Sequence, residues 1–209
     1  MKRIRILIAE ANPVAREGMR AILQLIPDIE LVENAAGSQQ IMRLARKCQP
    51  DVLLLDLKTP AAQPDGLAAI SQHHPKIRAL AMSDAWDGVC VRDLVAAGVR
   101  GYVDKSEPPE KIIAAIRAVA EGGIWFSRAA LQQLIEPSDE PVPAEDFGLA
   151  DRELIILRSI VAGKTNQNIA LALEVSEKTV EKHLAKLYEK LGVGSRVETA
   201  VWSVRNDLA

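Results

Sequence analysis

DVLLLDLKTP, residues 51–60, runs from Val52 to Leu55 without a polar interruption and then stops on a carboxylate, Asp56. A strand that is apolar at consecutive positions faces a core on both sides, as parallel strands covered by helices do; a half-exposed antiparallel strand alternates instead. Four further runs in the first half have this character: IRILIA (4–9), IELVENA (29–35), IRALAM (77–82) and GYVD (101–104). The stretches between them read as helices. Residues 13–26 carry Val14, Gly18, Ile22 and Leu25 at helical spacing, Ser38 suits the N-cap of a helix over 39–47, and 108–121 carries Ile112, Ile113, Ile116, Val119 and Ala120 on one stripe before Gly122–Gly123. Strands alternating with helices in this way predict an α/β doubly wound five-stranded parallel sheet over residues 1–122.

That topology gives sequence positions a place. In an open parallel sheet the functional crevice lies beyond the carboxyl ends of the strands. Glu10, Asp56, Ser83 and Lys105 each stand at or just past a strand end, so one edge receives two acids, a hydroxyl and an ammonium. A carboxylate closing an apolar strand is costly to bury alone and calls for a cation beside it. The set suits phosphoryl transfer onto Asp56: the carboxylate attacks phosphorus, Lys105 and a bound Mg2+ neutralise the phosphoryl oxygens, and Ser83 hydrogen-bonds one of them.

At 209 residues the chain exceeds one typical domain of about 100 to 150 residues. Hydrophobic residues make up 48% and aromatics only 3%, which leaves aliphatic side chains to fill the cores and disfavours an aromatic-rich β-sandwich. No apolar run approaches the roughly 20 residues of a membrane span, and MKRIRILIAE lacks a signal-peptide cleavage site, so a cytoplasmic location without membrane contact is expected. Cys48 and Cys90 are isolated and lack metal-ligand spacing. The net charge of −2 argues against a nonspecific nucleic-acid coat. The charge is uneven: PSDEPVPAED at 137–146 holds three prolines and four acids and no base. Such a stretch cannot form a packed element. It closes an expected linker over 123–146, helical at 127–136.

From Phe147 to residue 209 the pattern is wholly helical. Leu154, Leu157, Ile160 and Val161 share a face; Thr165 can cap a short helix bearing Ile169, Ala170 and Leu173; Ser176 can cap a longer one with Val180, Leu184, Leu187 and Leu191 buried; Ser195 and Glu198 form an S-x-x-E capping box for the last. Two short helices joined by the tight turn LEVS predict a helix-turn-helix, whose second helix is the one that enters the DNA major groove. Opposite its apolar stripe stand Lys178, Glu181, Lys182, Ala185 and Glu189, flanked by Thr179 and Lys186. Lysine reaches phosphates or guanine edges, threonine reaches phosphates and glutamate accepts from cytosine, so Lys178, Thr179, Glu181, Lys182 and Lys186 are the expected contacts to double-stranded DNA.

IRILIAEANPVAREGM, DVLLLDLKTP, Ser83 and GVRGYVDKSEPPEKIIAAIRAVAEGGIWFS resemble the receiver domain (a flavodoxin-like fold) of bacterial two-component response regulators of the NarL/FixJ type, over about residues 3–128. The resemblance implies Asp56 as phosphoacceptor in a phosphorelay, Lys105 as its paired lysine, and Ser83 and Tyr102 as switch residues. It also implies a Mg2+ site from Glu10 through water, Asp56, and the backbone carbonyl of Lys58. Two departures bear on that site: such receivers usually carry a second acid where Ala11 stands, and TPAAQPDG is two residues longer than usual between Pro60 and Asp65–Gly66. Mg2+ binding is therefore expected to be weakened or lost.

Residues 149–205 resemble the LuxR-type helix-turn-helix of the same regulators through RE (152–153), AGKTNQNIA (162–170), LEVSEKTVEKH (173–183) and KLYEKLGVGSR (186–196). Ala150–Asp151 replaces the usual Thr-Pro at the first cap, Asn168 replaces a capping acid, and Glu181 is the FixJ-like choice. The resemblance implies a DNA-binding transcriptional regulator, not an enzyme, which takes a phosphoryl group from a sensor histidine kinase or other phosphodonor. It further implies a homodimer on DNA formed through Val201, Trp202 and Arg205, with half-sites about ten base pairs apart. The alternative is a receiver that works without phosphorylation, as a dimerisation module or as a docking module for a ligand or partner, on the same DNA-binding protein. A phosphatase of the haloacid dehalogenase type would need an acid where Lys58 stands.

Overall fold

In the computed structural model, residues 3–35, 38–84, 91–132, 134, 148–206 and 208 are described. They form two compact units, Met1–Ala120 and Glu121–Ala209. In the first, strands β1 (Ile4–Ala9), β2 (Ile29–Ala35), β3 (Val52–Asp56), β4 (Arg78–Ser83) and β5 (Val99–Asp104) form one sheet in the order β2-β1-β3-β4-β5. Every pairing is parallel. β3, central and apolar up to its closing carboxylate, is buried along its whole length, Asp56 included. β5 begins two residues earlier than the GYVD run, because Val99 is buried and pairs with Ala79 ahead of a register shift.

Helices α1 (Pro13–Gln24), α2 (Ser38–Cys48), α3 (Pro64–His73), α4 (Val91–Ala96) and α5 (Pro109–Ala120) lie between and after the strands. A helix over 86–97 is expected from the sequence; α4 accounts for its second half, and 85–90 lie outside the described residues. Ser38 is the first helical residue of α2.

α1 forms where periodicity places it but buries a different face. Val14 is 82% exposed and Leu25 81%, whereas Leu23 is buried. Ala15, Met19, Leu23 and Ile26 make a second apolar stripe, and it is this one that is turned inward. Asn12 starts the helix: its side chain accepts from the N–H groups of Val14 and Ala15, and Pro13 occupies the first helical position, where no N–H is needed.

The long segment after Asp56 is not slack. Pro60–Ala62 forms a 3-10 turn, and α3 starts two residues later at Pro64. A Cβ on Gly66 would stand 2.6 Å from the Ala61 carbonyl oxygen, so only glycine lets α3 lie this close to the turn.

The second unit holds α6 (Arg128–Gln132), α7 (Asp151–Val161), α8 (Asn166–Ala172), α9 (Glu177–Leu191) and α10 (Arg196–Arg205). The expected linker thus divides. Ile124, Ala130 and Leu131 are buried, α6 packs on α10, and a Cβ on Gly163 (φ 70°), just after α7, would meet the Ile124 carbonyl oxygen at 3.1 Å. Its first part is therefore core of the helical unit, because Ile124 and Leu131 bury apolar surface that a linker would leave in water. The acidic stretch 137–146 lies outside the described residues, as does Phe147.

α7 lacks a side-chain acceptor at Ala150, but Glu153 reaches back to the Ala150 N–H at 2.9 Å. Lys190 from α9 binds both Glu153 (2.8 Å) and the Gly148 carbonyl (2.8 Å), tying the two helices together. These bonds outweigh the burial that would raise the Glu153 carboxyl and hold it below the usual range.

Candidate functional site

The carboxyl edge of the first unit brings together the residues that the strand ends deliver. Glu10 is wholly buried, and Asp56 is 1% exposed. Lys105 Nζ lies 2.6 Å from Glu10 Oε2 and 3.2 Å from Asp56 Oδ1. Burial alone would pull the Lys105 ammonium down; the hydrogen bonds and charges of Glu10 and Asp56 outweigh it and keep it above the ordinary lysine range. Two carboxylates taken out of water are thus held by one shared cation, the arrangement that makes their burial tolerable.

Backbone donors complete the acids. The Asn12 N–H gives 2.7 Å to Glu10 Oε1, and the Lys58 N–H gives 3.3 Å to Asp56 Oδ1. The buried Thr59 hydroxyl donates to the Asp56 carbonyl at 2.7 Å, which fixes the turn leaving β3. Arg16 from α1 donates to the carbonyl oxygens of Glu10 (2.8 Å) and Ala11 (3.4 Å).

Sheet register places Ser83 and Tyr102, the residues expected to act as a switch. Asp56 pairs with Met82, one step from Ser83, and the Lys105 N–H donates to the Ser83 carbonyl at 2.8 Å. The Ser83 and Tyr102 hydroxyls, both buried, meet at 2.7 Å. Burial pushes the Tyr102 phenol up, against the downward pull of the Ser83 hydrogen bond and with help from the charges of Asp104 and Asp84.

Asp84 is the participant that sequence reasoning missed. It follows Ser83, its Oδ2 accepts from Lys58 Nζ, and its Oδ1 is 3.6 Å from Lys105 Nζ. The Lys58 hydrogen bond, with the charge of Lys105, holds the Asp84 carboxyl below its usual range, and the same bond pushes the Lys58 ammonium up. The signal was an acid directly beside the strand-end serine. What it would touch depended on the turn after β3, which the sequence did not specify.

In the second unit α8, the turn 173–176 and α9 form the helix-turn-helix. The Thr165 hydroxyl accepts from the Asn168 N–H and caps α8; Ser176 accepts from the Thr179 N–H at 3.2 Å and caps α9. The turn is set by Glu174 at φ 54° and by the Val175 N–H donating to the Ala170 carbonyl at 3.0 Å. Val180, Leu184, Leu187 and Leu191 are buried, while Lys178, Glu181, Lys182 and Lys186 are exposed together. Thr179 is half-buried, and its hydroxyl lies 2.8 Å from that of Ser176, so it serves the cap before any phosphate. Arg196, also buried, reaches from α10 to Asn166 Oδ1 (2.9 Å) and to the Lys164 carbonyl, and so holds the start of α8.

The expected dimer surface on α10 needs correction at one position. Trp202 is only 9% exposed; Val201 and Arg205 are half-buried. α10 packs against both α6 and α7, and this draws the indole into the unit's own core.

Residues 6–117 match the family model described as response regulator receiver domain, and residues 148–203 match that of bacterial regulatory proteins, luxR family. The chain belongs to the response regulators that join a receiver to a LuxR-type helix-turn-helix. This response regulator is 34% identical to the nitrate/nitrite response regulator protein NarP of Escherichia coli (strain K12), over 94% of its own length and 92% of that protein's. It is also 34% identical to the transcriptional regulatory protein LiaR of Bacillus subtilis (strain 168), covering 98% and 99%. Among solved structures, that of the response regulator ChrA of a heme-sensing two-component system aligns over all of both chains with a TM-score of 0.54 and 27% identity. The RcsB–DNA complex shares the fold at 20% identity and a TM-score of 0.57 over 98% of this chain and 99% of that one. The response regulator is a DNA-binding regulator of transcription governed by its receiver. LuxR-type domains bind DNA, and receivers take phosphoryl groups from kinases and generally bind Mg2+ at an acidic site. Among the described residues no helix is long and apolar enough to cross a membrane.

Proposed function

We propose that Asp56 is the residue that accepts the phosphoryl group, from a sensor histidine kinase or another phosphodonor, and that the chain has no enzymatic activity of its own beyond this self-modification. The observation that carries the reading is the Lys105 ammonium, 3.2 Å from Asp56 Oδ1 and anchored on buried Glu10, where it can meet the charge that arrives on Asp56. A phosphoryl oxygen on Asp56 would compete with Tyr102 for the Ser83 hydroxyl. Any such exchange biases an equilibrium between two arrangements of the β4 and β5 ends, and the switch is a population shift. Mg2+ binding at Glu10, Asp56 and the Lys58 carbonyl is weakened or lost, since Ala11 offers no ligand.

The output is binding of double-stranded DNA by the exposed face of α9, as a homodimer in the cytoplasm. Lys178, Lys182 and Lys186 contact phosphates or base edges, and Glu181 reads a base. Val201 and Arg205 remain candidates for the two-fold contact on α10. Acetyl phosphate treatment followed by intact-mass measurement and footprinting tests this reading. One phosphoryl group should be gained, none by Asp56→Asn, and protection of the operator should rise with the gain; the absence of any gain would leave the phosphorylation-independent receiver in its place.

A further inference from the structure

The donor set at Asp56 fits a divalent cation poorly. Glu10 has Oε1 engaged by the Asn12 N–H and Oε2 by Lys105, position 11 is alanine, and Arg16 already occupies the carbonyl oxygens of residues 10 and 11. Among the described residues no three His, Cys, Asp or Glu side chains are grouped to hold a metal ion. A small dehydration-resistant ion such as Mg2+ needs oxygen ligands in near-octahedral array, and this edge offers mostly oxygens that already accept N–H bonds.

Positive charge is nonetheless supplied. Lys58 donates its backbone N–H to Asp56 Oδ1 and extends its side chain, 68% exposed, to Asp84, whose other oxygen faces Lys105. Three carboxylates, Glu10, Asp56 and Asp84, thus face two ammoniums, Lys58 and Lys105. Lys105 is committed to Glu10 and Asp56. Lys58 is parked on an exposed carboxylate at the mouth, on a flexible stem whose Cα is fixed beside Asp56.

We infer that the Lys58 ammonium performs at Asp56 the charge compensation that a divalent ion performs in other receivers, so that acyl-phosphate formation by this chain is independent of metal. The inference rests on the reading of Asp56 as phosphoacceptor. With an acyl phosphate as donor, a carboxylate oxygen of Asp56 attacks phosphorus. The new O–P bond forms as the P–O bond to the departing carboxylate breaks and its electron pair leaves with that carboxylate. No proton or redox equivalent is exchanged. The charge at the Asp56 side chain rises from one negative to two, and Lys58 leaves Asp84 to meet it.

The test is the rate of mass gain from acetyl phosphate on the full chain, in EDTA and in excess Mg2+. Wild type should slow by less than about threefold on metal removal. Lys58→Met in EDTA should fall by at least about tenfold while Lys58→Arg stays near wild type, because removing one positioned charge from a phosphoryl-transfer site costs that order or more. Ala11→Asp combined with Lys58→Met should regain rate only with Mg2+. Lys58 is exposed, so unchanged thermal unfolding of its variants would show that the fold is intact. Loss of wild-type modification in EDTA with retention in Mg2+ overturns the inference and leaves the Asp56 reading standing, as does a Lys58→Met rate in EDTA equal to wild type. No mass gain under either condition removes both.

Discussion

The hydroxyls of Ser83 and Tyr102 lie 2.7 Å apart at the buried ends of β4 and β5. This bond joins the strand that borders β3 and Asp56 to the strand that ends just before Lys105, so a change at Asp56 can reach the aromatic ring through Ser83 alone. Tyr102→Phe should cost the receiver about 1 kcal/mol, the net worth of one buried hydrogen bond, read as a shift of the urea midpoint. The phenol is held neutral by burial, so its folded pKa lies above the unfolded value. Its contribution is then complete below about pH 10 and declines as pH rises through the folded value. The phenylalanine variant should lack that component of the alkaline decline.

Lys105 neutralises two carboxylates that have almost no contact with water. Replacing it with methionine leaves Glu10 and Asp56 facing each other without their shared cation, and the receiver should lose about 3 kcal/mol at neutral pH. Adding Asp56→Asn should restore part of this loss. A double-mutant cycle by denaturant unfolding measures the coupling, and strictly additive effects would show that the two side chains act separately.

Strand ends were readable because a parallel sheet converts position along a strand into position in space: Glu10, Asp56, Ser83 and Lys105 are scattered over the sequence yet reach one edge. Side chains that span loops were not readable. Lys58 and Asp84 meet from the chain segments that directly follow β3 and β4, whose course sequence pattern alone does not draw, and the Trp202 indole is buried in a unit where α6 packs on α10 and a linker was expected. Hydrophobic periodicity likewise announced α1 but could not choose between its two apolar stripes.

Glu174 in the helix-turn-helix turn holds φ 54°, a conformation that costs a side-chain-bearing residue about 1 kcal/mol and glycine much less. Glu174→Gly should therefore raise the thermal midpoint of the helical unit. A lowered midpoint would mean that the glutamate side chain makes contacts worth more than the backbone strain.

On the recognition helix, charge placement and base reading separate. Lys182→Glu or Lys186→Glu should abolish binding on every DNA sequence, and the loss of one phosphate contact by Lys→Ala should lower the slope of log K against log salt by about 0.9. Glu181→Ala should leave affinity for unrelated DNA unchanged and relax discrimination at one base by about 1–3 kcal/mol. Gel shifts over a salt series and a set of single-base operator variants distinguish the two behaviours; wild-type binding by all of these variants would refute the face assigned to α9.

The two stripes of α1 give opposite expectations for substitutions that look alike in sequence. Leu23 is 2% exposed, and its truncation to alanine removes buried methyl groups and leaves a cavity, at a cost of about 2–5 kcal/mol. Val14 and Leu25 are each more than four-fifths exposed, so Val14→Ser and Leu25→Ser should each stay within about 0.5 kcal/mol of wild type. Urea unfolding of the three variants decides between the faces. If Leu25→Ser proved as costly as Leu23→Ala, the helix would be rotated toward the stripe that periodicity first suggests, and Asn12, which caps it and also binds Glu10, would be displaced with it.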